Sequence, residues 1–280
     1  MVVGDVGAHL LALRRLPGCV PGHATFLVVT VDPSLDPGLG VEQRPSDSPY
    51  VERVYRAGPV SGPLPARLRS IANSNWELVA WHHRGETSVA VRGPETMPTV
   101  LDLASDAGET FGIIFRHGAF LAPMPVSGLV DTMVPSPHTT ARTFVLQGDQ
   151  WQLPTYDNAE TFVERLVRVG LLVRDPLVTD VLRGDTTTLV TPRSVQRRVV
   201  AAAGLTQGTI RQIERARKAA ILLIRGAAAS EVVAQVGYHD QPHMARSLTR
   251  FLGRTATQLR RPDADEVLSL LYKTDTEVRP

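Results

Sequence analysis

Arginine, glutamine and histidine side chains recur near the start of two predicted helices in the C-terminal third of the chain. Arginine can donate two parallel hydrogen bonds to the edge of guanine, and glutamine can pair in the same way with adenine. The chemistry that these residues could perform is therefore hydrogen bonding to base edges in the major groove of duplex DNA. The candidate base-contacting residues are Arg193, Gln196, Arg197, Gln241, His243 and Arg246.

Two helix-turn-helix units would have to position these side chains. The first pairs a helix after Asp175-Pro176 with a helix after Thr191-Pro192, and the second pairs a short helix near 231–236 with one that starts at Asp240. A capping residue followed by a proline in the first turn is typical of a helix start. A longer helix, from about Gln207 to Arg225, separates the units. Four basic residues are expected around the outside of its apolar side: Arg211, Arg215, Arg217 and Lys218.

The distribution of charge supports a polyanionic partner. The whole chain has a net charge of +2, but residues 186–262 hold 13 Lys and Arg against 3 Asp and Glu, a net charge of +10. The other 203 residues, with 17 basic and 25 acidic side chains, carry −8. A basic segment beside an acidic remainder indicates that one domain meets nucleic acid, although a solvated basic face is the alternative. Candidate phosphate contacts are Arg198, Arg250 and Arg254.

The same segment resembles a known family. Spaced matches comprise Arg215, Ala219, Leu222, Leu223, Glu231, Gly237-Tyr238, Asp240, Arg246, Leu248, Arg250, Gly253 and Thr255. Over residues 175–260 the pattern is similar to the DNA-binding domain of the AraC/XylS transcription regulators. The resemblance implies two helix-turn-helix units joined by a long helix. Thr249 departs from the family pattern, because a lysine is common at its position.

The region between residues 50 and 154 is predicted to form strands. Short runs rich in Val, Ile, Phe and Trp alternate with turn-forming residues, which is typical of an antiparallel barrel or sandwich. The predicted fold class is therefore α+β, an N-terminal antiparallel β barrel or sandwich followed by an all-α domain. The predicted strands are Trp76–His82, Thr87–Val91, Thr99–Leu103, Phe111–Phe115 and Thr143–Gln147.

Three local phrases extend the family resemblance into this region. Gly93–Thr96, Phe111–Phe120 and Leu129–Asp131 are similar to the N-terminal half of a subset of AraC-type regulators. The resemblance implies a cupin-like domain for effector binding or dimerisation. The expected domains are a poorly structured arm at 1–48, a β domain at 49–154, a linker helix at 155–172, the DNA-binding domain at 173–262, and a tail with a short helix at 263–280.

Other sites are predicted less directly. Four aromatic residues, Trp76, Trp81, Phe115 and Phe120, form a candidate effector pocket, with an ordinary core role as the alternative. His82, His83, Glu86 and His117 are residue types that a metal-binding cupin uses, but adjacent strand residues point to opposite faces. No metal or other cofactor is expected. No catalytic site is expected either, because a Ser-His-Asp, P-loop or GxGxxG spacing is absent from the sequence.

The combined hypothesis is a transcription regulator in the bacterial cytoplasm. Its expected partners are double-stranded DNA, RNA polymerase, a small-molecule effector and a second copy of the chain. No membrane partner is expected, since the apolar runs are shorter than the roughly 20 residues that a membrane-spanning helix needs. Two alternatives stay open: a metal-dependent cupin enzyme with a vestigial helical domain, and a ligand-free protein that bends DNA or acts as an anti-activator.

Overall fold

The computed structural model describes residues 39–59, 66–102, 107–184, 190–261 and 266–269. The strands in this part of the chain are β1 (Leu39–Pro45), β2 (Val51–Pro59), β3 (Arg67–Ser70), β4 (Glu77–His83), β5 (Glu86–Arg92), β6 (Thr99–Asp102), β7 (Ala107–Phe115), β8 (Ala119–Leu121), β9 (Met133–Pro135), β10 (Thr143–Leu146), β11 (Asp149–Gln152), β12 (Leu172–Arg174) and β13 (Glu266–Ser269). The helices are α1 (Ala159–Arg168), α2 (Pro176–Arg183), α3 (Pro192–Ala203), α4 (Gln207–Ile224), α5 (Ala229–Val236), α6 (Gln241–Leu252) and α7 (Ala256–Arg260).

The N-terminal domain is built on a six-stranded antiparallel sheet with the strand order β1-β2-β7-β4-β5-β9. Two smaller sheets pair β10 with β11 and β12 with β8. A third smaller sheet has the strand order β13-β3-β6. Among the described residues the main sheet is open, with β1 and β9 at its edges, so the domain is closer to a sandwich than to a closed barrel. The predicted order of an antiparallel β domain followed by a helical domain is confirmed.

The two faces of the main sheet bury different side chains. On one face, Trp76 stacks on Phe115 with 3.9 Å between ring centroids, and α1 adds Phe162 and Leu166 to the same core. The other face has a smaller cluster around Tyr55 and Trp81, together with Val79, Ala90 and Ile114. The period-2 alternation of strand side chains accounts for this division.

Three features differ from the expected domain organisation. The predicted N-terminal arm contains β1, which pairs with β2 along its whole length; residues 1–38 lie outside the described part of the chain. The predicted linker helix α1 packs into the core of the β domain, because its Phe162, Val163 and Leu166 form one buried apolar stripe. The tail contains a strand, β13, which pairs in parallel with β3; the remaining tail residues, on which the short helix was expected, lie outside the description.

The helical domain surrounds a core whose centre is α4. Helices α3, α5, α6 and α7 all pack against this helix. Its buried side contributes Ile213, Ala216, Ala220 and Leu223, as the apolar spacing predicted. No helix in the described ranges is long and apolar enough to cross a bilayer.

Candidate nucleic-acid interface

Helix α3 begins and ends where the sequence predicted. The side chain of Thr191 accepts a hydrogen bond from the backbone N–H of Ser194, and Pro192 occupies the first turn. The helix ends at Ala203 and is followed by Gly204, whose φ of 75° lies in the left-handed region that favours glycine. Val199 and Ala202 are buried against the core. The apolar side of α3 is thus fixed, and its other side is left toward solvent.

Helix α6 repeats this design. Asp240 accepts a hydrogen bond of 2.6 Å from the backbone N–H of His243, and Pro242 lies in the first turn. This N–H contact is the main reason that the pKa of Asp240 is lowered. The buried side of the helix carries Met244, Leu248 and Phe251. Two helices that each have a side-chain cap, a proline in the first turn and a buried apolar stripe therefore precede and follow α4 in the chain.

The predicted base-contacting residues lie on the outer sides of these two helices. Five of them have exposed side chains, whereas His243 is half-buried. The ring of His243 meets the ring of Tyr238 edge-on, with centroids 5.2 Å apart. The β domain leaves the outer sides of both helices uncovered. The five exposed residues are Arg193, Gln196, Arg197, Gln241 and Arg246.

The three candidate phosphate contacts are placed differently from one another. Arg250 is exposed, with its guanidinium 4.9 Å from the ring centre of Phe251. Arg198 is exposed but donates two hydrogen bonds, of 2.6 and 2.7 Å, to the carboxylate of Asp175, the cap of α2. Arg254 is largely buried and pairs with Glu266 of β13. Among these three candidates, and within the part of the chain that the structure describes, Arg250 alone is exposed and has no ion pair.

The acidic residues of the basic segment all have structural partners. Glu214 accepts a hydrogen bond from the hydroxyl of Ser74, and Glu231 accepts one from the N–H of Ala228 at the start of α5. Asp240 caps α6, as described above. Because these three are the only Asp and Glu between residues 186 and 262, the exposed arginines dominate the charge of this surface.

Sequence reasoning missed two arginines with structural roles. Arg217 was expected on the outside of α4, but only 1% of it is exposed, and its Nη1 donates to the carbonyl of Ala72 in the β domain. Its position four residues after Ile213 and three before Ala220 was a signal, because it places Arg217 on the apolar side. Arg215 lies 5.5 Å from the ring centre of Tyr238 and donates to the carbonyl of Gly237, in the turn of the second unit.

The four aromatic residues predicted to line an effector pocket do not meet in one pocket. Trp76 and Phe115 stack within one core and Trp81 lies in the other, because residues 76 and 81 are an odd number of positions apart. Phe120 packs where the first core meets the helical domain. A cavity of about 220 Å³ lies elsewhere, between β5, β9 and the hairpin of β10 and β11; its lining includes Leu78, Val91, Met124, Val134, Phe144 and Leu146.

The candidate metal ligands are also dispersed. His82 is exposed and bonded to Thr87, His83 is half-buried, and His117 contacts Ser74 in the domain interface. Burial is the main reason that the pKa of His117 is lowered, and the nearby carboxylate of Glu214 opposes this shift. Within the described ranges, no group of three or more His, Cys, Asp or Glu side chains could hold a metal ion.

The three phrases that resembled the N-terminal half of AraC-type regulators are partly brought together. The carboxylate of Asp131 accepts hydrogen bonds of 2.6 Å from both the N–H and the hydroxyl of Thr96. Gly93 lies so close to the carbonyl of Leu129 that a Cβ there would be 1.9 Å from its oxygen. The phrase Gly93–Thr96 therefore folds directly against Leu129–Asp131.

Comparison with known families defines the class of this protein. Residues 186–262 match the family described as "Helix-turn-helix domain", which is the AraC-type domain, and these are the residues that carry the net charge of +10. The chain is thus a regulator with an AraC-type helix-turn-helix domain at its C-terminal end. It is a DNA-binding transcription regulator.

Among solved structures, the chain is similar to ToxT from Vibrio cholerae. One ToxT structure has 8% identity and a TM-score of 0.36, with 78% of this chain and 97% of that chain covered. ToxT from strain O395 has 7% identity and a TM-score of 0.34, with coverage of 80% and 98%. An unsaturated fatty acid bound ToxT from strain SCE256 has 10% identity and a TM-score of 0.30, with coverage of 79% and 93%. No curated protein matches the chain.

Proposed function

We propose that this regulator reads two successive major grooves on one side of a DNA duplex, with α3 in one groove and α6 in the next. The observation that carries the proposal is the repeated design of the two helices, each with a buried apolar side and an outer side that presents arginine and glutamine. Base edges are read by such side chains near the start of a helix that lies in the major groove. Successive grooves on one face are separated by about 34 Å.

Specific roles follow from the exposure of each side chain. Arg193, Gln196 and Arg197 would contact bases from α3, and Gln241 and Arg246 from α6. His243 would contribute at the start of α6, where its ring is already oriented by Tyr238. Arg250 would contact phosphate; Arg198 and Arg254 would do so by exchanging their carboxylate partners, Asp175 and Glu266, for phosphate oxygens.

The β domain would supply regulation. The apolar lining of the cavity beside β9 favours a small effector that is uncharged and largely apolar, because few polar groups face it. A second copy of the chain and RNA polymerase are the protein partners that we infer for a regulator of this type. We also infer that the chain acts without an enzymatic reaction, in the cytoplasm where bacterial DNA is found.

The experiment that tests the DNA proposal uses the full chain and an operator selected from random duplexes. Replacement of Arg193 or Arg246 by alanine should weaken binding to the selected site by about 1 to 3 kcal/mol, and each should relax the base preference in a different half of the site. The matched control is Arg142→Ala, since Arg142 is exposed in the β domain and far along the chain from both helices.

The salt dependence of binding separates the roles of the arginines. Wild-type affinity should fall steeply with salt, because phosphate contacts release counterions. Arg250→Ala should weaken binding to selected and random duplexes alike and reduce the slope of log K against log salt by about 1. If Arg193→Ala and Arg246→Ala bind the selected duplex as tightly as the Arg142→Ala control does, the proposed reading of bases is wrong.

A further inference from the structure

The segment Ile71–Asn75 runs between the two domains and is buried at every residue. It connects β3 to β4 and is bonded to both domains. On the β-domain side, Asn73 exchanges two backbone hydrogen bonds with Glu95, and the amide of Asn75 donates to the carbonyl of Phe115. Ala72 and Ser74 bond the helices, and Ser74 also contacts the ring of His117 in the β domain.

The helical side of this segment contacts both α4 and α6. The N–H of Ala72 donates to the carbonyl of Phe251 in the last turn of α6, at 2.8 Å. The carbonyl of Ala72 accepts from Arg217 of α4 at 3.2 Å, and the hydroxyl of Ser74 donates to Glu214 of α4 at 2.6 Å. One short segment of the β domain therefore bonds both α4, which joins the two helix-turn-helix units, and α6, the recognition helix of the second unit.

Buried charge strengthens this arrangement. Glu95, which pairs its backbone with Asn73, also accepts from Ser70 and forms an ion pair of 3.0 Å with Arg92. Arg92 forms a second ion pair, of 2.9 Å, with the buried Glu77. Burial raises the pKa of Glu95, while Arg92 and the more distant Arg217 oppose that shift. A buried cation is costly without compensating groups, and the carbonyl of Ala72 supplies one such group for Arg217.

The first unit is held against the β domain separately. The N–H of Asp175, the cap of α2, donates to the carbonyl of Gly118, and the hydroxyl of Thr179 donates to the carbonyl of His117. At the end of α3, a Cβ on Gly204 would lie 2.9 Å from the carbonyl oxygen of Val126. The β domain thus contacts both units.

We propose that the segment Ile71–Asn75 is a positioning element for DNA reading. It holds α4 through Ser74–Glu214 and Ala72–Arg217, and α6 through the backbone hydrogen bond from Ala72 to Phe251, so that the two recognition helices keep one fixed separation. This inference rests on the proposed reading of two grooves. A fixed separation means that binding of the second half-site requires no further ordering once the first is bound. The operator is then recognised as two half-sites at one spacing, and Glu214 acts on DNA affinity without touching DNA.

The test uses the full chain and three kinds of duplex: the selected operator, the operator with one half-site scrambled, and operators with one or two base pairs inserted between the half-sites. Ser74→Ala and Glu214→Ala each remove one partner of the contact. Glu214→Gln keeps a carbonyl oxygen at the side-chain end, so it should retain the contact with Ser74. Glu164→Ala is the matched control, because Glu164 is exposed on α1.

The wild type, Glu214→Gln and Glu164→Ala should bind the operator equally and lose affinity sharply when base pairs are inserted. Ser74→Ala and Glu214→Ala should bind the operator about tenfold more weakly, because loosening the connection lowers the effective concentration of the second helix. They should lose less on insertion than the wild type does. Their affinity for the duplex with one half-site should be unchanged.

Three results would overturn the inference. One is unchanged operator affinity and spacing dependence in both alanine variants. Another is an equal loss of affinity by the alanine variants for the duplex with one half-site, which would show that the substitutions damage one unit and do not change how the two units are positioned. The third is a loss in Glu214→Gln as large as that in Glu214→Ala. A wild type that is indifferent to scrambling either half-site would instead refute the proposed function on which this inference depends.

Discussion

The buried ion pairs of Arg92 offer the sharpest test of what holds the β domain together. Arg92 is 6% exposed and contacts Glu77, which is 1% exposed, at 2.9 Å. A second ion pair, with Glu95, is 3.0 Å long. The substitution Arg92→Met removes the guanidinium and keeps most of the apolar stem. Removal of one partner of a buried ion pair leaves the other charge without compensation and costs about 3 to 5 kcal/mol. We expect a loss of this size in the free energy of unfolding at pH 8.

The pH dependence identifies the mechanism. Burial already raises the pKa of Glu77, with the attraction of Arg92 opposing it, and burial likewise raises the pKa of Glu95. Without Arg92, both pKa values should rise further, so the folded state of the variant binds protons more readily than the unfolded state. Its stability should therefore increase as the pH falls through the folded pKa values toward the unfolded ones. The gap between variant and wild type should be smaller at pH 5.5 than at pH 8.

Urea unfolding at the two pH values measures this gap, and the exposed pair of Arg56 and Glu42 is the control. Its N–O distance is shorter, at 2.6 Å, but both side chains are 55% exposed. Solvent screens such a pair, so Arg56→Met should not change the free energy of unfolding measurably. A loss below about 1 kcal/mol for Arg92→Met at pH 8 would contradict the assignment of a buried ionic core. So would a gap that fails to shrink at pH 5.5.

Two further predictions concern the β domain. Hydrogen bonds from Arg44 lower the pKa of Glu160 to about 2. Arg44→Met should therefore reduce the free energy of unfolding at pH 7, and this reduction should disappear as the pH falls from about 4.5 toward 2. Equal reductions at pH 7 and pH 2 would contradict this. Val134 lines the cavity beside β9 and is 39% exposed, so Val134→Trp should obstruct the cavity. The variant should lose the thermal stabilisation that small apolar compounds give to the wild type by binding it. Met97→Trp, at an exposed site outside the cavity lining, is the control, and equal stabilisation of both variants would show that the compounds bind elsewhere.

Local patterns were sufficient for the helical domain. Caps such as Thr191 and Asp240, terminal glycines such as Gly204, and apolar residues at helical spacing act within one or two turns, so the sequence places the starts and ends of α3 and α6 correctly. The exposure of Arg193 and Arg246 follows from the same spacing.

Five predicted strands are confirmed within a residue or two at most ends, although β7 begins four residues earlier than expected.

Several short strands and the domain boundaries were harder to predict. Strands β3, β8, β9 and β12 have only three or four residues, too few to show a period, and they form because distant partners are available. The placement of α1 in the β-domain core has the same cause: its apolar stripe predicts a buried side but does not identify what covers it. The odd spacing of Trp76 and Trp81 already places them on opposite faces, whereas the stacking of Trp76 on Phe115 depends on a strand register that the sequence does not specify.

The sequence by itself determined the class of this protein, because charge, caps and helical spacing are local properties that can be recognised without knowledge of tertiary contacts. It concentrated the positive charge in residues 186–262 and left the outer sides of two similar helices polar. The tertiary structure decided how those helices are held. The spacing places Arg217 on the apolar side of α4, but only the packing of residues 71–75 against that helix gives Glu214 and Arg217 their partners. The partners are separated in the chain by 140 residues for Ser74–Glu214 and by 145 for Ala72–Arg217, and contacts at such a separation leave no local pattern.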